Sequence, residues 1–217
     1  MTESLASLIE HSLLAPTATR AQLERHCAEA RTHQLFAVCV NPVWVGRAVT
    51  VLAETGVRVV SVVGFPLGAS ATVAKAFECE YAISQGAQEI DMVLQIGPLK
   101  AGDRFTVCED IRAVVKAAAG RPVKVILETA LLNDGEKRLA CALAEEAGAT
   151  FVKTSTGFAP AGATVADVRL MREATGGRLA VKASGGIRTA AFARELIAAG
   201  AARLGCSNSV ALLSEQA

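Results

Sequence analysis

Three lysines lie inside short apolar runs, where an ammonium group is costly to bury. Lys124 interrupts VKVILE, Lys153 interrupts FVKT and Lys182 interrupts AVKAS. Asp91 stands in the apolar run EIDMVLQIG and supplies a carboxylate of the same kind. These residue types also allow an internal ion-pair network, or lysines that point outward beneath helix ends. Two lysines near the ends of successive apolar runs, with an aspartate in a third, favour a chemical site.

Such a cluster can activate one lysine as a nucleophile. A free lysine has a pKa of about 10.4 and is protonated at neutral pH, so it cannot attack a carbonyl. Burial and a second ammonium nearby both disfavour the charged form, and together they can lower a lysine pKa by several units. One lysine would then form a Schiff base, the other would remain cationic, and the carboxylate would transfer protons.

Two glycine-rich passages are suited to binding a phosphate group. ASGGIRT (183–189) ends one apolar run and begins a helical segment, and LGCSNS (204–209) does the same at the next run. Exposed backbone amides without a nearby Cβ bind phosphate at helix N-termini. KTSTGF (153–158) adds a third passage of this kind. Glycines also form ordinary turns, and Arg188 could either pair with phosphate or remain solvated.

These residues need elements that bring them together, and the chain alternates eight times between short apolar runs and longer segments of helical period. No linker or shift in composition divides it, so we expect one domain over residues 1–217. Eight strand–helix units predict an α/β fold, a single-domain (β/α)8 TIM barrel whose active site lies at the carboxyl ends of the strands. An open doubly wound sheet is the alternative, although no GxGxxG follows the first strand.

The first predicted helix has a capping signal, because Thr19 is followed three residues later by Gln22. The predicted strands are 8–13, 36–40, 57–63, 89–94, 123–128, 151–154, 180–183 and 203–205. The predicted helices are near 19–33, 43–55, 70–86, 102–119, 134–147, 163–175 and 189–199, with a last one from about Ser209.

Composition and charge disfavour several classes of protein. The formal net charge is +1 and 4% of residues are aromatic, which argues against binding to nucleic acid or to an anionic membrane surface. No apolar stretch is long enough for a transmembrane helix, and the first residues lack the pattern of a secretory signal. The 6 cysteines and 3 histidines show no metal-binding spacing. We therefore expect a cytoplasmic protein with reduced thiols and no metal.

Five passages together resemble the deoxyribose-phosphate aldolase family of class I, Schiff-base aldolases. They are IEHSLLAPTAT (9–19), DMVLQIG (91–97), KVILET (124–129), FVKTSTGF (151–158) and VKASGGIRT (181–189). Their order and spacing follow the family from about residue 8 to residue 212. The resemblance implies reversible cleavage of 2-deoxy-D-ribose 5-phosphate to D-glyceraldehyde 3-phosphate and acetaldehyde, without a metal or an organic cofactor.

The resemblance also implies roles for individual residues. Lys153 would form the Schiff base, and Lys182 and Asp91 would donate and accept protons. The partners would be a phosphosugar and an aldehyde, and the protein would be a homo-oligomer, either a dimer or a tetramer. The phosphate contacts would come from the glycine-rich passages, at Thr156, Gly157, Gly185, Gly186, Gly205 and Ser207.

The sequence departs from the family pattern at several positions. The opening strand commonly reads Asp-His-Thr, whereas this chain has a glutamate, Glu10, and a serine, Ser12, on either side of the histidine. Both are accessory candidates for the site. Asn208 stands where the family commonly has a second serine, and it keeps a hydrogen-bond donor. Cys39 is a further accessory candidate, because some relatives have a cysteine near the active site, although a core thiol is the simpler interpretation.

Two other functions remain open from the sequence. Another lysine aldolase, or a transaldolase, would share the lysine but would not need both KTSTGF and KASGGI. A phosphosugar-binding protein without catalysis would need only the glycine-rich passages. The presence of Lys153, Lys182 and Asp91 together favours an enzyme.

Overall fold

The eight strands close into a parallel barrel in chain order. This computed structural model describes residues 4–214, so residues 1–3 and 215–217 of the predicted domain lie outside the described part. Each strand pairs with the next, and the first pairs with the eighth, where Ile9 lies opposite Leu204. This pairing confirms the (β/α)8 barrel and rejects the open sheet. The strands are β1 (Ile9–Leu13), β2 (Ala37–Val40), β3 (Arg58–Val63), β4 (Glu89–Val93), β5 (Val123–Ile126), β6 (Phe151–Lys153), β7 (Ala180–Ser184) and β8 (Ala201–Cys206).

A ring of helices surrounds the barrel. The predicted capping box is present, because the Thr19 side chain accepts a hydrogen bond from the Gln22 amide and the Gln22 side chain accepts one from the Thr19 amide. The short helix α4 was not predicted, because five residues are too few to show a helical period. Within residues 4–214, no helix has the length and hydrophobicity needed to cross a membrane. The helices are α1 (Arg20–Thr32), α2 (Val45–Val51), α3 (Thr72–Ser84), α4 (Ile96–Lys100), α5 (Arg104–Ala117), α6 (Asp134–Glu146), α7 (Val165–Ala174), α8 (Ala190–Ala198) and α9 (Ser209–Ser214).

Two strands differ from the prediction by two residues at one end, whereas the other strand ends differ by no more than one residue. Strand β5 stops at Ile126 rather than at residue 128, because Glu128 adopts a left-handed backbone conformation with φ of 56°. Strand β8 begins at Ala201, two residues before the predicted start, because its ladder to β7 begins opposite Val181. A backbone conformation sets the first boundary and pairing with a neighbouring strand sets the second, and the local sequence contains neither piece of information.

Alternation along the strands creates two environments. Successive side chains of a strand point to opposite faces of the sheet. The outward side chains, such as Val38 and Val125, belong to the large apolar layer between the barrel and the helices. The inward side chains include charged ones, and parallel register sets Asp91 beside Lys124 and Lys153 beside Lys182. A smaller apolar cluster inside the barrel comes from β2 and β3 and consists of Ala37, Cys39, Val60 and Val62.

A buried ion pair outside the barrel ties α3 and α5 to strand β4. Lys75 Nζ lies 2.6 Å from Asp110 Oδ2 and donates to the carbonyl oxygen of Val93 at 2.9 Å. The hydroxyl of Thr72 donates to the other carboxylate oxygen of Asp110 at 2.9 Å. Both charged side chains are fully buried. Because Val93 ends β4, the pair holds the strand that carries Asp91.

We expect Lys75→Met to destabilise the fold by about 3–5 kcal/mol, because it leaves the Asp110 carboxylate buried without a cation. Urea unfolding measures the loss. The control is Arg20→Met, which removes an exposed ion pair to Glu24 and should cost no more than about 1 kcal/mol. Similar losses for the two variants would contradict the role given to the buried pair.

Candidate active site

Asp91 is the centre of a buried cluster of charged side chains. Its Oδ2 accepts hydrogen bonds from Lys153 Nζ and from Lys182 Nζ, each at 2.7 Å. Its Oδ1 accepts a hydrogen bond from Lys124 Nζ at 3.1 Å. The four side chains come from the neighbouring strands β4 to β7. The structure thus brings together the three predicted catalytic residues and adds Lys124, whose position in an apolar strand was its signal in the sequence.

Two glutamates complete the cluster. Glu10 forms a close ion pair with Lys182, and its other carboxylate oxygen lies 3.4 Å from Lys124 Nζ. Glu89 lies 2.6 Å from Lys124 Nζ and 3.0 Å from the guanidinium of Arg58, whose side chain is about half exposed. Three lysines therefore face three carboxylates, and Arg58 connects the cluster to the protein surface. The balance of charge is what allows complete burial.

The neighbouring charges hold Asp91 and Lys182 in their charged forms. Burial alone would raise the pKa of Asp91, but the charges of Lys124, Lys153 and Lys182 outweigh it and hold that pKa well below its usual range. Burial alone would lower the pKa of Lys182, but the carboxylates of Asp91 and Glu10 outweigh it and raise that pKa. At neutral pH the cluster therefore contains an Asp91 carboxylate and a Lys182 ammonium.

A cavity of about 530 Å³ lies at the carboxyl ends of the strands. Lys153 is among the residues that line it, whereas Lys124 and Lys182 are fully buried. The accessory candidate Ser12 also lines the cavity, and its hydroxyl donates to the carbonyl of Glu10 at 3.4 Å. A carbonyl compound in the cavity can meet Lys153 directly, while the deeper lysines can act on it only through the cluster.

The predicted phosphate-binding glycines adopt conformations that other residues rarely take. Gly157, Gly185 and Gly186 have φ of 86°, 86° and 74°. A Cβ added to Gly205 would lie 2.8 Å from the Cβ of Ser184, so β8 needs a residue without a side chain there. The predicted phosphate contacts Thr156, Gly157, Gly185, Gly186, Gly205 and Ser207 all line the cavity that Lys153 lines.

The two loops predicted to bind phosphate differ in their relation to helices. Residues 207–208 immediately precede α9. Residues 185–186 lie in the turn after β7, whereas α8 begins only at Ala190 and has Thr189 as its N-cap. The expected position at a helix N-terminus therefore applies to residues 207–208 and is wrong for residues 185–186.

Glu128 is a buried carboxylate for which the sequence suggested no role. Its oxygens accept hydrogen bonds from the amide of Thr156 at 3.3 Å and from the Thr156 hydroxyl at very short range. The Thr156 hydroxyl also accepts a hydrogen bond from the amide of Phe158 at 3.0 Å. These bonds fix the turn that follows Lys153. A phosphate contact from Thr156 would have to replace its hydrogen bonds to Glu128. In the sequence, the glutamate of KVILET was the signal available for this role of Glu128.

Cys39 is a buried thiol beside the cluster. Its Sγ lies 4.0 Å from Asp91 Oδ2 and points its hydrogen toward that oxygen. Burial raises the pKa of Cys39 to about 11, and the charge of Asp91 acts in the same direction. Cys39 therefore stays protonated at neutral pH, as a core thiol does.

Among residues 4–214, two groups of side chains have the types that bind metal ions. One consists of Glu10, Cys39 and Asp91, and the ammonium of Lys182 already lies between its two carboxylates. The Lys182 ammonium therefore occupies the place between the carboxylates that a metal ion would need. The other group lies on the outer side of β1 and consists of His11, His26 and Glu29.

Comparison with known proteins identifies relatives over nearly the whole chain. The model of the family described as DeoC/LacD family aldolase matches residues 8–208. A protein from Bdellovibrio bacteriovorus named deoxyribose-phosphate aldolase is 54% identical over 209 residues, which cover 96% of this chain and 95% of that protein. The deoxyribose-phosphate aldolase 1 of Bacillus licheniformis is 52% identical over 214 residues, which cover 98% of this chain and 96% of that protein.

A solved structure shows the same barrel. The structure of a deoxyribose phosphate aldolase from Aeropyrum pernix, described as a tetramer, superposes with a TM-score of 0.91. The two sequences are 32% identical, and the match covers 98% of this chain and 90% of the other.

We expect Asp91→Asn to lower the pKa of Lys182, because it removes one of the two carboxylates that raise it. Folding of the wild type raises this pKa, so the ion pair stabilises the fold fully below about pH 10.4 and loses its effect as pH rises through the folded-state pKa. The variant should therefore unfold at a lower alkaline pH. NMR titration of the lysine side chains and alkaline unfolding measure the two effects.

The control for this comparison is Asp134→Asn, which removes an exposed carboxylate beside Lys137. It should leave the Lys182 titration unchanged. If Lys182 titrates alike in the wild type and in Asp91→Asn, the ion pair does not set its protonation.

Proposed function

The chain belongs to the DeoC/LacD family of aldolases, and on that premise we propose that it cleaves 2-deoxy-D-ribose 5-phosphate reversibly to D-glyceraldehyde 3-phosphate and acetaldehyde. Relatives named deoxyribose-phosphate aldolase, more than half identical over nearly the whole chain, support this reaction. The observation that carries the assignment is the position of Lys153, which lines the cavity above two fully buried lysines. Lys153 is therefore the residue proposed to form the Schiff base.

The number of ion pairs distinguishes the three lysines. Lys124 lies within 4 Å of three carboxylates and Lys182 of two, whereas Lys153 pairs with Asp91 alone among residues 4–214. Loss of a proton from Lys153 therefore breaks the fewest ion pairs. Lys124 and Lys182 still neutralise Asp91 afterwards. A neutral amine at Lys153 is what attack on a carbonyl requires.

In the proposed reaction, Lys153 Nζ attacks C1 of the open-chain sugar, and the carbinolamine loses water to give an iminium. A proton then leaves the C3 hydroxyl, the C2–C3 bond breaks, and its electron pair moves to the iminium, which becomes an enamine. D-Glyceraldehyde 3-phosphate departs. Protonation of the enamine at C2 and hydrolysis of the new iminium release acetaldehyde and restore the amine. Asp91 Oδ2 lies 2.7 Å from Nζ of both Lys153 and Lys182, so Asp91 and Lys182 are placed to transfer these protons.

We assign the 5-phosphate of the substrate to the glycine-rich loops that line the cavity together with Lys153. Residues 157, 185–186 and 205–208 line the cavity together with Lys153, and the exposed Arg188 adds a cation there. Backbone amides and serine or asparagine side chains are suited to a phosphate through charge-assisted hydrogen bonds. Binding energy from the phosphate would hold the reacting carbon at Lys153 and so increase the rate of the chemical step.

The proposal extends to the setting of the enzyme. We propose one domain over residues 1–217 that acts in the cytoplasm on small molecules, without a metal and without nucleic acid or membrane partners. A homo-oligomer is proposed because the Aeropyrum pernix relative is described as a tetramer. Val73 and Phe77, four residues apart on α3, are both more than two thirds exposed, and such apolar faces are typical of contacts between copies.

Reduction with borohydride in the presence of acetaldehyde should attach a two-carbon group to Lys153, because an iminium there is reducible. Peptide mapping by mass spectrometry locates the group. Lys153→Ala should lose the adduct and at least about a thousandfold of turnover. The exposed Lys116 offers a control, since Lys116→Ala should keep both.

An adduct on Lys124 or Lys182 would contradict the assignment of the nucleophile.

Turnover of the wild type measured in EDTA should be undiminished, because the iminium supplies the electron sink that a metal would otherwise provide. Loss of turnover that Zn²⁺ restores would refute the Schiff-base mechanism.

Gly186→Val should lower kcat/KM for the phosphorylated sugar by about a hundredfold and for 2-deoxy-D-ribose by less than about threefold. A Cβ at Gly186 meets no atom within 4 Å, so the new side chain would occupy the space proposed for the phosphate. Gly102 is a matched control, because its φ of 75° is nearly the same and its Cβ also meets no atom. Equal losses for both sugars would place the phosphate elsewhere.

A further inference from the structure

His11 links three elements on the outer side of the barrel. It lies in β1 between Glu10 and Ser12, which face the interior, so its ring points toward the helices. Its Nε2 lies 3.1 Å from Glu29 Oε2 on α1, and its Nδ1 lies 2.8 Å from the hydroxyl of Ser209, the first residue of α9. His11 and Ser209 are buried, whereas the side chain of Glu29 is partly exposed.

The partners of His11 define where its hydrogen lies. Burial lowers the pKa of His11, although Glu29 acts in the opposite direction, so the neutral ring carries one hydrogen. The Glu29 carboxylate can only accept, so Nε2–H donates to it. Nδ1 then accepts the hydroxyl hydrogen of Ser209 at 2.8 Å, and the carbonyl oxygen of Cys206, 3.2 Å from the same Oγ, shares that hydrogen as the more distant acceptor. The result is a directed chain of hydrogen bonds from Ser209 through His11 to Glu29.

Ser209 connects this chain to the proposed phosphate loop. Its Oγ also lies 3.2 Å from the carbonyl oxygen of Cys206, which ends β8. Ser207 and Asn208 lie between these two residues and line the cavity. The carbonyl of Asn208 accepts a hydrogen bond from the amide of Leu212 within the first turn of α9. The position of Ser209 therefore determines where the loop of residues 207–208 lies.

We propose that His11 is a positioning residue for phosphate recognition. Through Ser209 it orients residues 207–208, and so sets the affinity for the 5-phosphate without touching the substrate. This inference rests on the proposed function and deepens it, because it names a further residue for the same site. Glu29 completes the chain by holding the His11 ring in the orientation that Ser209 needs.

The same geometry argues against two other roles for these residues. The Ser209 side chain is fully buried, so a substrate in the cavity cannot reach it as a nucleophile. His11 and His26 could share a metal only if both rings pointed a nitrogen at it within their own planes. Their rings are instead stacked, with centroids 3.5 Å apart and planes 12° from parallel. Stacking therefore supports the His11 ring and opposes a metal between the two histidines.

Three single variants and one double variant test the chain of hydrogen bonds. Ser209→Ala and His11→Gln break the link to the loop, and each should raise KM for 2-deoxy-D-ribose 5-phosphate about five- to tenfold. Neither should change kcat/KM for 2-deoxy-D-ribose by more than about twofold, because that sugar carries no phosphate. His11→Asn keeps a polar atom near the position of Nδ1 and should stay within about threefold of the wild type. The double variant should be no weaker than Ser209→Ala, because both changes break one chain.

Ser61→Ala is the matched control. Ser61 is a buried serine of β3 whose hydroxyl donates to the carbonyl of Val62, and its loss should leave both sugars unaffected. Titration calorimetry with inorganic phosphate provides a readout that does not depend on turnover. Ser209→Ala should bind phosphate about five- to tenfold more weakly than the wild type, and this variant decides the matter if His11→Gln does not fold.

The outcomes separate this inference from the proposed function. The wild type could bind inorganic phosphate but turn over no sugar, and Ser209→Ala could lose that binding. This outcome would refute the proposed reaction and support the positioning role. Unchanged phosphate affinity in Ser209→Ala would overturn the positioning role. Equal losses for both sugars would overturn it as well, and so would a wild type that binds no phosphate.

Discussion

The pairing of three buried lysines with three carboxylates is the constraint on which the rest of the structure depends. A charge transferred from water to a protein interior costs several kcal/mol unless a partner neutralises it. Strands β1, β4, β5, β6 and β7 must therefore keep the register that brings every pair into contact. Asp91 makes this requirement strict, since it pairs with Lys124, Lys153 and Lys182 at once. Strands β2 and β3 contribute the apolar cluster around Cys39 to the interior.

Depth in the barrel gives the three lysines different surroundings. Lys124 contacts Glu89, and Glu89 in turn contacts the half-exposed Arg58 at the start of β3. Lys124 is therefore linked to the end of the barrel opposite the cavity. Lys182 is enclosed by Glu10 and Asp91, which raise its pKa. Within the described chain, Lys153 forms an ion pair with Asp91 alone, and it lines the cavity. A simple repulsion between two ammonium groups is thus an incomplete account of the cluster, because every lysine has a carboxylate partner.

The sequence predicts those features that depend on local pattern. Alternation of apolar runs and helical segments predicted the barrel, and lysines in apolar strands predicted the cluster that contains Lys153 and Lys182. Contacts between distant parts of the chain were not predictable in this way. The bonds from Thr156 to Glu128 join residues 28 positions apart, and they depend on a left-handed backbone at Glu128 that a glutamate rarely adopts. The position of residues 185–186 before the N-cap of α8 likewise depends on where that helix begins in three dimensions.

The pleat of β1 explains how one strand can serve both ends of the site. Glu10 faces the interior, and its two carboxylate oxygens contact Lys182 on β7 and Lys124 on β5. The extra methylene relative to an aspartate thus suits a side chain that spans two lysines. His11, the next residue, faces outward and contacts Ser209 at the start of α9. A shift of β1 by one residue would exchange these two faces, burying an imidazole among the lysines and removing the Ser209 contact. The register of β1 therefore couples the cluster proposed to transfer protons to the loop proposed to bind phosphate.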